Sequence, residues 1–413
     1  MTALRPSFAA LRHPGYRAFW LGTVGAMLAD NIEHVISYWV VFRKFQSPAL
    51  GGFAVVAHWL PFLLLSIPAG ALADRFDPRR LIQLGLLLFT GVSLAWGVLF
   101  VTDTLQMWHA MVLLVLHGVS GVLWVTPSQV LIHDIVGPGD LQSAVRLNAI
   151  ARYLGMLLGP GLGGVLLVLA GPERGILLNA VIYLPMILWL WRAPYGPRFR
   201  VEAGHPARAV EGMRDIAAAL RDVAGDRTIL SMTLLAGGAA FLVGSAYQAQ
   251  MPGFAQDLGH GDPGLTYSLL LAADAAGALL AGLALESRGL LRPRPRTAFA
   301  LAMVWGLALA GFALTDVYLF ALLLLFTAGF VELAFSAMAQ TLVQLRAPAA
   351  LRGRVIGVFT MASLGLRMFS GITVGLAAHL VGIHFSLAAS AALVCVLAAA
   401  LAARGSRADP PDH

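Results

Sequence analysis

Apolar residues run along this chain in blocks of about twenty, separated by short stretches where Pro, Gly and Arg gather. A helix of roughly 20 apolar residues crosses the bilayer core of about 30 Å, because lipid offers no partner to unpaired backbone groups. Cutting the chain at its turns and charges predicts helices over 16–42, 52–73, 80–101, 107–133, 144–170 and 175–192. A second set follows over 228–251, 264–286, 296–315, 317–344, 355–381 and 383–403. The pattern is that of an all-α polytopic membrane protein with twelve transmembrane helices in two pseudo-symmetric six-helix bundles. Residues 1–192 would form one bundle, 193–227 a linker, and 228–413 the other. In the linker, Val210, Met213, Leu220 and Val223 recur at helical spacing among mixed charges, which predicts an amphipathic helix along the membrane face.

Composition agrees with that pattern. Only 12% of the 413 residues are charged and mean hydropathy is +0.78, where soluble chains carry about 25% charge. The lone cysteine, Cys395, rules out an intramolecular disulfide or a thiolate cluster. Lys44 is the only lysine and follows no glycine-rich turn, so there is no P-loop, and no HExxH stands anywhere. No enzyme chemistry and no cofactor is expected.

The net charge of +7 reads as topology. With the N-terminus inside, 24 of the 28 basic residues fall in cytoplasmic loops and helix mouths, leaving Arg43, Lys44 and Arg174 outside and Arg367 within a span. Both termini are therefore expected in the cytoplasm, and MTALRPSFAALRHPGYRAFW reads as a leader that is not removed. Arginines spread over every such loop without interleaved aromatics do not indicate nucleic-acid binding.

The halves repeat at an offset of about 210 residues, with Pro138-Gly139-Asp140-Leu141 answering Pro348-Ala349-Ala350-Leu351, and Leu154-Gly155 answering Leu364-Gly365. Parallel duplication of a six-span unit is a plan of secondary transporters.

Two stretches carry a more specific likeness. GALADRFDPRRL, from Gly70 to Leu81, joins spans two and three and holds Asp74, Arg75, Arg79 and Arg80. In span five, Gly155, Gly159 and Gly163 fall at i, i+4 and i+8, clearing one helix face for a close neighbour, with Pro160 and Gly164 beside them. The first stretch resembles the loop signature of the major facilitator superfamily, departing from it at Asp77 and Pro78. The second resembles the GxxxGPxxGG motif of that superfamily's antiporters. Together with QVLIHDIVGPGDLQSAVRLNAIARYLGMLLGPGLGG and APAALRGRVIGVF, they resemble the enterobactin-exporter and macrolide-efflux branch. The resemblance implies alternating access, a cavity lined by spans one, four, seven and ten, and a glycine face that seals the halves on the outer side. It also implies an inner gate, at which Asp74 would hold Arg354 or the adjoining helix end.

Ionisable groups deep in a span cost several kcal/mol and mark function by default. Span one sets Asp30, Glu33, His34 and Ser37 at i, i+3, i+4 and i+7 as a single polar stripe. His58, His117, Asp274, Glu332 and Arg367 follow in other spans, with Glu332 and Arg367 expected to pair. Asp30 and Glu33 are the leading proton carriers, with His34 as a relay. Drug:proton exporters of the resembled class place an Arg in span four, where this chain reads Leu114-Val-Leu-His117-Gly118. The expectation is a monomeric exporter of a small amphipathic compound, drug or siderophore-like, by proton antiport in the bacterial cytoplasmic membrane. Its partners would be the bilayer, the small-molecule substrate and protons. The alternatives are a lipid or lysophospholipid flipper of the same fold, and a metal-ion carrier or membrane-embedded metal enzyme using Asp30, His34, His58 and His117. Trp20, Trp39, Trp59, Trp124 and Phe241 hint at an apolar cavity.

Overall fold

The computed structural model describes residues 7–45, 47–199, 213–244, 246–258, 263–288 and 291–406. The leader's first six residues and Val210 of the linker lie outside them. Among the described residues every regular element is a helix. The first three are α1 (Pro14–Phe45), α2 (Pro48–Arg75) and α3 (Pro78–Val101). Next comes α4 (Met107–Ile182), whose 76 residues would stretch more than 100 Å if straight, too long for any bilayer. It doubles back twice instead, at Gly137 (φ 67°) and Gly171 (φ 77°), where a residue with a Cβ would be strained. Each glycine is followed by a proline, Pro138 and Pro172, whose fixed φ suits the first helical position of the next leg. The three legs, with α5 (Leu184–Arg192), supply spans four to six. Pro138-Gly139-Asp140-Leu141 is thus already helical, six residues before the start expected from sequence.

Then follow α6 (Met213–Gly225), α7 (Arg227–Leu242), α8 (Ala246–Asp257), α9 (Pro263–Ser287), α10 (Pro295–Leu314), α11 (Tyr318–Arg346), α12 (Arg352–Ser363), α13 (Ala377–Val381) and α14 (Ile383–Ser406). The linker helix α6 forms as its spacing predicts, with Val223 buried. Besides span six, which passes from α4 to α5 at Tyr183 with helical φ/ψ kept, two spans expected to be continuous are broken. Span seven divides into α7 and α8 around Gly244 (φ 49°). Span eleven passes from α12 through a 3-10 turn (Gly365–Phe369) and a π-helix (Gly371–Leu376) to α13. Side-chain hydroxyls take up carbonyls at these breaks. The Thr373 hydroxyl lies 2.9 Å from both the Phe241 and the Leu242 carbonyl oxygens, between which its one proton is shared, and Ser370 donates to the Arg367 carbonyl at 2.7 Å.

Nine helices among the described residues are long and apolar enough to cross a membrane, counting the run Met107–Arg192 as one. Helix α1 is long enough at 32 residues, but its polar stripe keeps it out of that set. Leucines and valines such as Leu169, Val168 and Leu380 are more than four-fifths exposed, as lipid-facing side chains are, while polar residues lie within the bundles.

Two compact units result. One contains the described part of Ala9–Ala219 together with Pro348–Thr360. The other contains that of Leu220–Ala347 and Met361–His413, with Ser7 and Phe8. Pro348–Thr360 joins the first unit through bare backbone: a Cβ on Gly353 would lie 2.2 Å from the Gly70 carbonyl oxygen, and one on Gly357 2.5 Å from that of Ser66.

Candidate functional site: a carboxylate–histidine cluster

Helix α1 turns its polar stripe inward. Glu33 and Ser37 are buried, and the same helix gives Ile32 and Ile36 to an apolar cluster that also holds Val92, Trp96, Leu113 and Leu114. His117, from the first leg of α4, comes between the two acids of the stripe. Its Nδ1 lies 2.8 Å from Glu33 Oε1 and its Nε2 3.0 Å from Asp30 Oδ1. A carboxylate oxygen only accepts, so Nδ1 carries the proton on the Glu33 side. The other Glu33 oxygen accepts from the Ser93 hydroxyl, and Asn179 Nδ2 donates to Ser93 Oγ at 3.4 Å. Ser37 donates to the Glu33 carbonyl at 2.6 Å, and His34 Nδ1 to the Asp30 carbonyl at 2.8 Å.

Three imidazoles meet here. The His34 ring centroid is 4.6 Å from that of His117 and 5.1 Å from that of His58, which α2 supplies. Phe89 closes one side, edge-on to His117 and stacked on Tyr183. One unit therefore gathers Asp30, Glu33, His34, His58 and His117 into a single polar knot. Sequence reasoning had no place for Ser93, Asn179 or Tyr183. An inventory of uncharged polar residues inside apolar spans would have found the first two.

The second unit holds a different arrangement. Asp274 of α9 is buried and accepts from Tyr247 Oη at 3.1 Å and Gln248 Nε2 at 3.4 Å. Helix α11 comes close enough there that a Cβ on Gly329 would sit 1.9 Å from the Asp274 carbonyl oxygen. One turn on, Glu332 Oε1 stands 3.7 Å from Arg367 Nη2 as an ion pair, the pairing the sequence led us to expect.

Asp74, at the end of α2, caps the start of α12: Oδ1 accepts from the Gly353 amide at 2.6 Å and Oδ2 from the Arg354 amide at 3.0 Å. It thus holds the helix end, through the Arg354 amide. Asp77 and Pro78, where the loop departs from the resembled signature, have a local role. Asp77 is the N-cap of α3, accepting from the Arg79 amide at 3.0 Å, and Pro78 is its first residue. Arg79 folds back on Asp77 and reaches the Ala193 carbonyl, and Arg80 lies over the Trp191 ring. Arg75 lies over Phe76.

The span-five glycines face α1. A Cβ on Gly155 would stand 2.8 Å from the Met27 carbonyl oxygen, on Gly159 2.4 Å from Asn31 Cβ, and on Gly163 3.0 Å from Val35 Cβ. A Cβ on Gly164 would meet nothing within 4 Å. The glycine face thus presses against the helix that carries the acids. Of the aromatics, Trp124 is buried against Phe89, Trp59 stands edge-on to His58, and Trp20 donates to the Leu147 carbonyl at 2.7 Å. Trp39, under Arg43, and Phe241, beside Phe369, are partly exposed.

Residues 5–409 match the family described as "Transmembrane secretion effector", a branch of the major facilitator superfamily. The chain belongs to this superfamily. The enterobactin exporter EntS of Citrobacter koseri is 25% identical over 359 residues, covering 84% of this chain and 81% of that protein. A putative multidrug resistance protein, MdtD of Klebsiella pneumoniae, is 30% identical over 134 residues, 32% of this chain and 27% of its own length. Among solved structures, the human organic anion transporter MFSD10 superposes with a TM-score of 0.73 at 16% identity, covering 94% of this chain and 98% of that one. The Escherichia coli fucose:proton symporter FucP does so with 0.71 at 13%, covering 96% and 100%. The likenesses to solved structures establish the fold. Major facilitator proteins are transporters of small molecules and not enzymes, and this chain is a multi-pass membrane transporter with efflux proteins among its relatives.

Proposed function

We propose that the protein exports a small amphipathic compound, drug or siderophore-like, from the bacterial cytoplasm by proton antiport, as a monomer with both termini inside. The observation that carries this reading is His117 set between two acids inside an apolar bundle, hydrogen-bonded to Glu33 and 3.0 Å from Asp30. Two carboxylates in oil call for compensating positive charge, and protons supply it. When the cluster faces the proton-rich side it loads. When the same cluster faces the cytoplasm, substrate entry and proton loss are linked. Span four lacks the arginine that drug:proton exporters carry there, and His117 in the same span is a group that, unlike an arginine, can both take and give the proton. His34 provides a relay toward Asp30.

Asp74 serves as the inner latch. Its two acceptor oxygens satisfy amides in the first turn of α12, where the helix dipole favours a negative charge. Letting go of them opens the cytoplasmic mouth. Efflux as the direction is supported by the glycine motif of span five and by the exporters among the relatives. In the second unit, Asp274, Glu332 and Arg367 serve as polar contacts for cargo.

The test is efflux from proteoliposomes under an imposed pH gradient, with the cargo first identified by growth of expressing cells against a panel of antibiotics and chelators. Asp30→Asn and Glu33→Gln should abolish gradient-driven efflux while the protein still inserts. Full gradient-driven efflux by both variants overturns the proton reading. Growth unchanged across the whole panel redirects the cargo toward lipid.

A further inference from the structure

The polar knot on α1 has the donor set of a transition-metal site, and the geometry points to one. We infer that His34, His58, His117 and Asp30 bind a divalent first-row transition ion of the Zn²⁺ type, with Glu33 orienting His117 from behind. One ring nitrogen from each of the three histidines lies within 4.8 Å of the others. Two of the rings are turned by bonds to their Nδ1 atoms. His34 Nδ1–H is held by the Asp30 carbonyl and His117 Nδ1–H by the Glu33 carboxylate, so both Nε2 lone pairs face away from those anchors. Such a bond on the far nitrogen is the usual support of a ligating imidazole, and a carboxylate in that place strengthens the ligand.

The His117 Nε2 contact is the telling one. It is a buried nitrogen 3.0 Å from Asp30 Oδ1, and with the ring proton on Nδ1 toward Glu33 it meets that oxygen lone pair to lone pair, an arrangement that calls for a cation between the two. Two ligand atoms of one ion sit side by side in that manner, each aimed at the metal and not at the other. Three imidazole nitrogens and a carboxylate oxygen suit Zn²⁺, Co²⁺ or Ni²⁺; Ca²⁺ and Mg²⁺ want oxygen alone. Charge agrees as well: a dication against the Asp30 and Glu33 carboxylates leaves neutral histidines and a neutral cluster in an apolar surround.

This inference deepens the proposed function and rests on it in one respect, that the ion and the protons are alternative occupants of one cluster. The experiment titrates Co²⁺ into the purified, tag-free full chain in detergent. Absorption reports the coordination geometry and equilibrium dialysis the stoichiometry. One Co²⁺ per chain with the intense bands of a four-coordinate site is expected. His58→Gln should remove the bands, and Glu33→Gln should keep them while weakening affinity by about 10–100-fold. Size-exclusion profiles verify that the variants are folded. Absence of stoichiometric Co²⁺ on the wild-type chain overturns the inference, as does binding that survives both His58→Gln and His34→Gln. Gradient-driven efflux measured in parallel with chelator present separates the two ideas. Efflux that depends on Asp30 without Co²⁺ binding sinks the metal site alone, and Co²⁺ binding with efflux indifferent to the gradient sinks proton coupling alone.

Discussion

The two units carry unlike polar interiors on a common plan. In the unit built on α1 to α5, acids are tied to imidazoles: Glu33 and His117 are each less than one-twentieth exposed, 2.8 Å apart, and walled by apolar rings. In the other, Asp274 rests on a phenol and an amide, and Glu332 faces Arg367 across 3.7 Å. A guanidinium stays charged in any protein environment, so the Glu332–Arg367 pair is a fixed charge arrangement. The helices differ in the same sense. Spans one to five run unbroken between loops and span six is interrupted only at Tyr183, which keeps helical φ/ψ, whereas spans seven and eleven break within their length. Under the proposed function the first unit would carry the exchangeable protons or ions, and the second would offer a broken-helix surface to cargo.

The contrast is most sharply tested by deleting an acid from each side. Glu33→Ala leaves His117 and Ser93 buried without their acceptor and should cost about 3–5 kcal/mol. Glu332→Ala, in a wider and partly exposed pair, should cost about 1 kcal/mol or less. Thermal unfolding in detergent checks both, and equal losses would erase the distinction between the units.

Helix contacts come next. Gly329→Ala drives a methyl toward the Asp274 carbonyl and Gly159→Ala drives one toward Asn31, each costing about 1–3 kcal/mol. Gly329 should suffer more because it meets backbone. Gly164→Ala has open space around it and should gain up to about 1 kcal/mol of helix propensity. Denaturation midpoints that fail to rank Gly329, Gly159 and Gly164 in that order would contradict the packing described.

Asp74→Ala strips two amides of α12 of their acceptor, an effect of about 0.5–2 kcal/mol for a helix cap, and should lower efflux at unchanged expression. Normal efflux by this variant would remove the latch. The smallest change is expected outside the membrane, at the exposed Asp103. A hydrogen bond from Lys44 at 2.6 Å holds its carboxyl below the ordinary range. A lowered folded-state value means that the contribution is present above the unfolded value and lost as pH falls through the folded one. Asp103→Asn should therefore flatten a slight acid-side decline in melting temperature, and added salt should do the same.

The bundle plan was legible in sequence because span length is fixed by bilayer thickness, and Gly137 and Gly171 stand where the chain must reverse. The stripe Asp30, Glu33, His34 was legible because side chains at helical spacing share a face. Its partners were less so: His117 enters from 84 residues away, and nothing in its own surroundings says which acid it will meet. Ser93 and Asn179 are quiet in any hydropathy profile. The breaks in spans seven and eleven were hidden as well, since they are held by hydroxyl-to-carbonyl bonds, and Ser and Thr occur in unbroken spans too.

Helix α1 also bears on how the protein is made. A carboxylate at mid-membrane opposes insertion by about 2.5–3.5 kcal/mol, and α1 carries two acids that leave the ribosome before His58 and long before His117. Its entry into the bilayer therefore has to be completed by helices synthesised after it, so that truncated chains ending ahead of α4 should be poorly retained in the membrane and readily degraded.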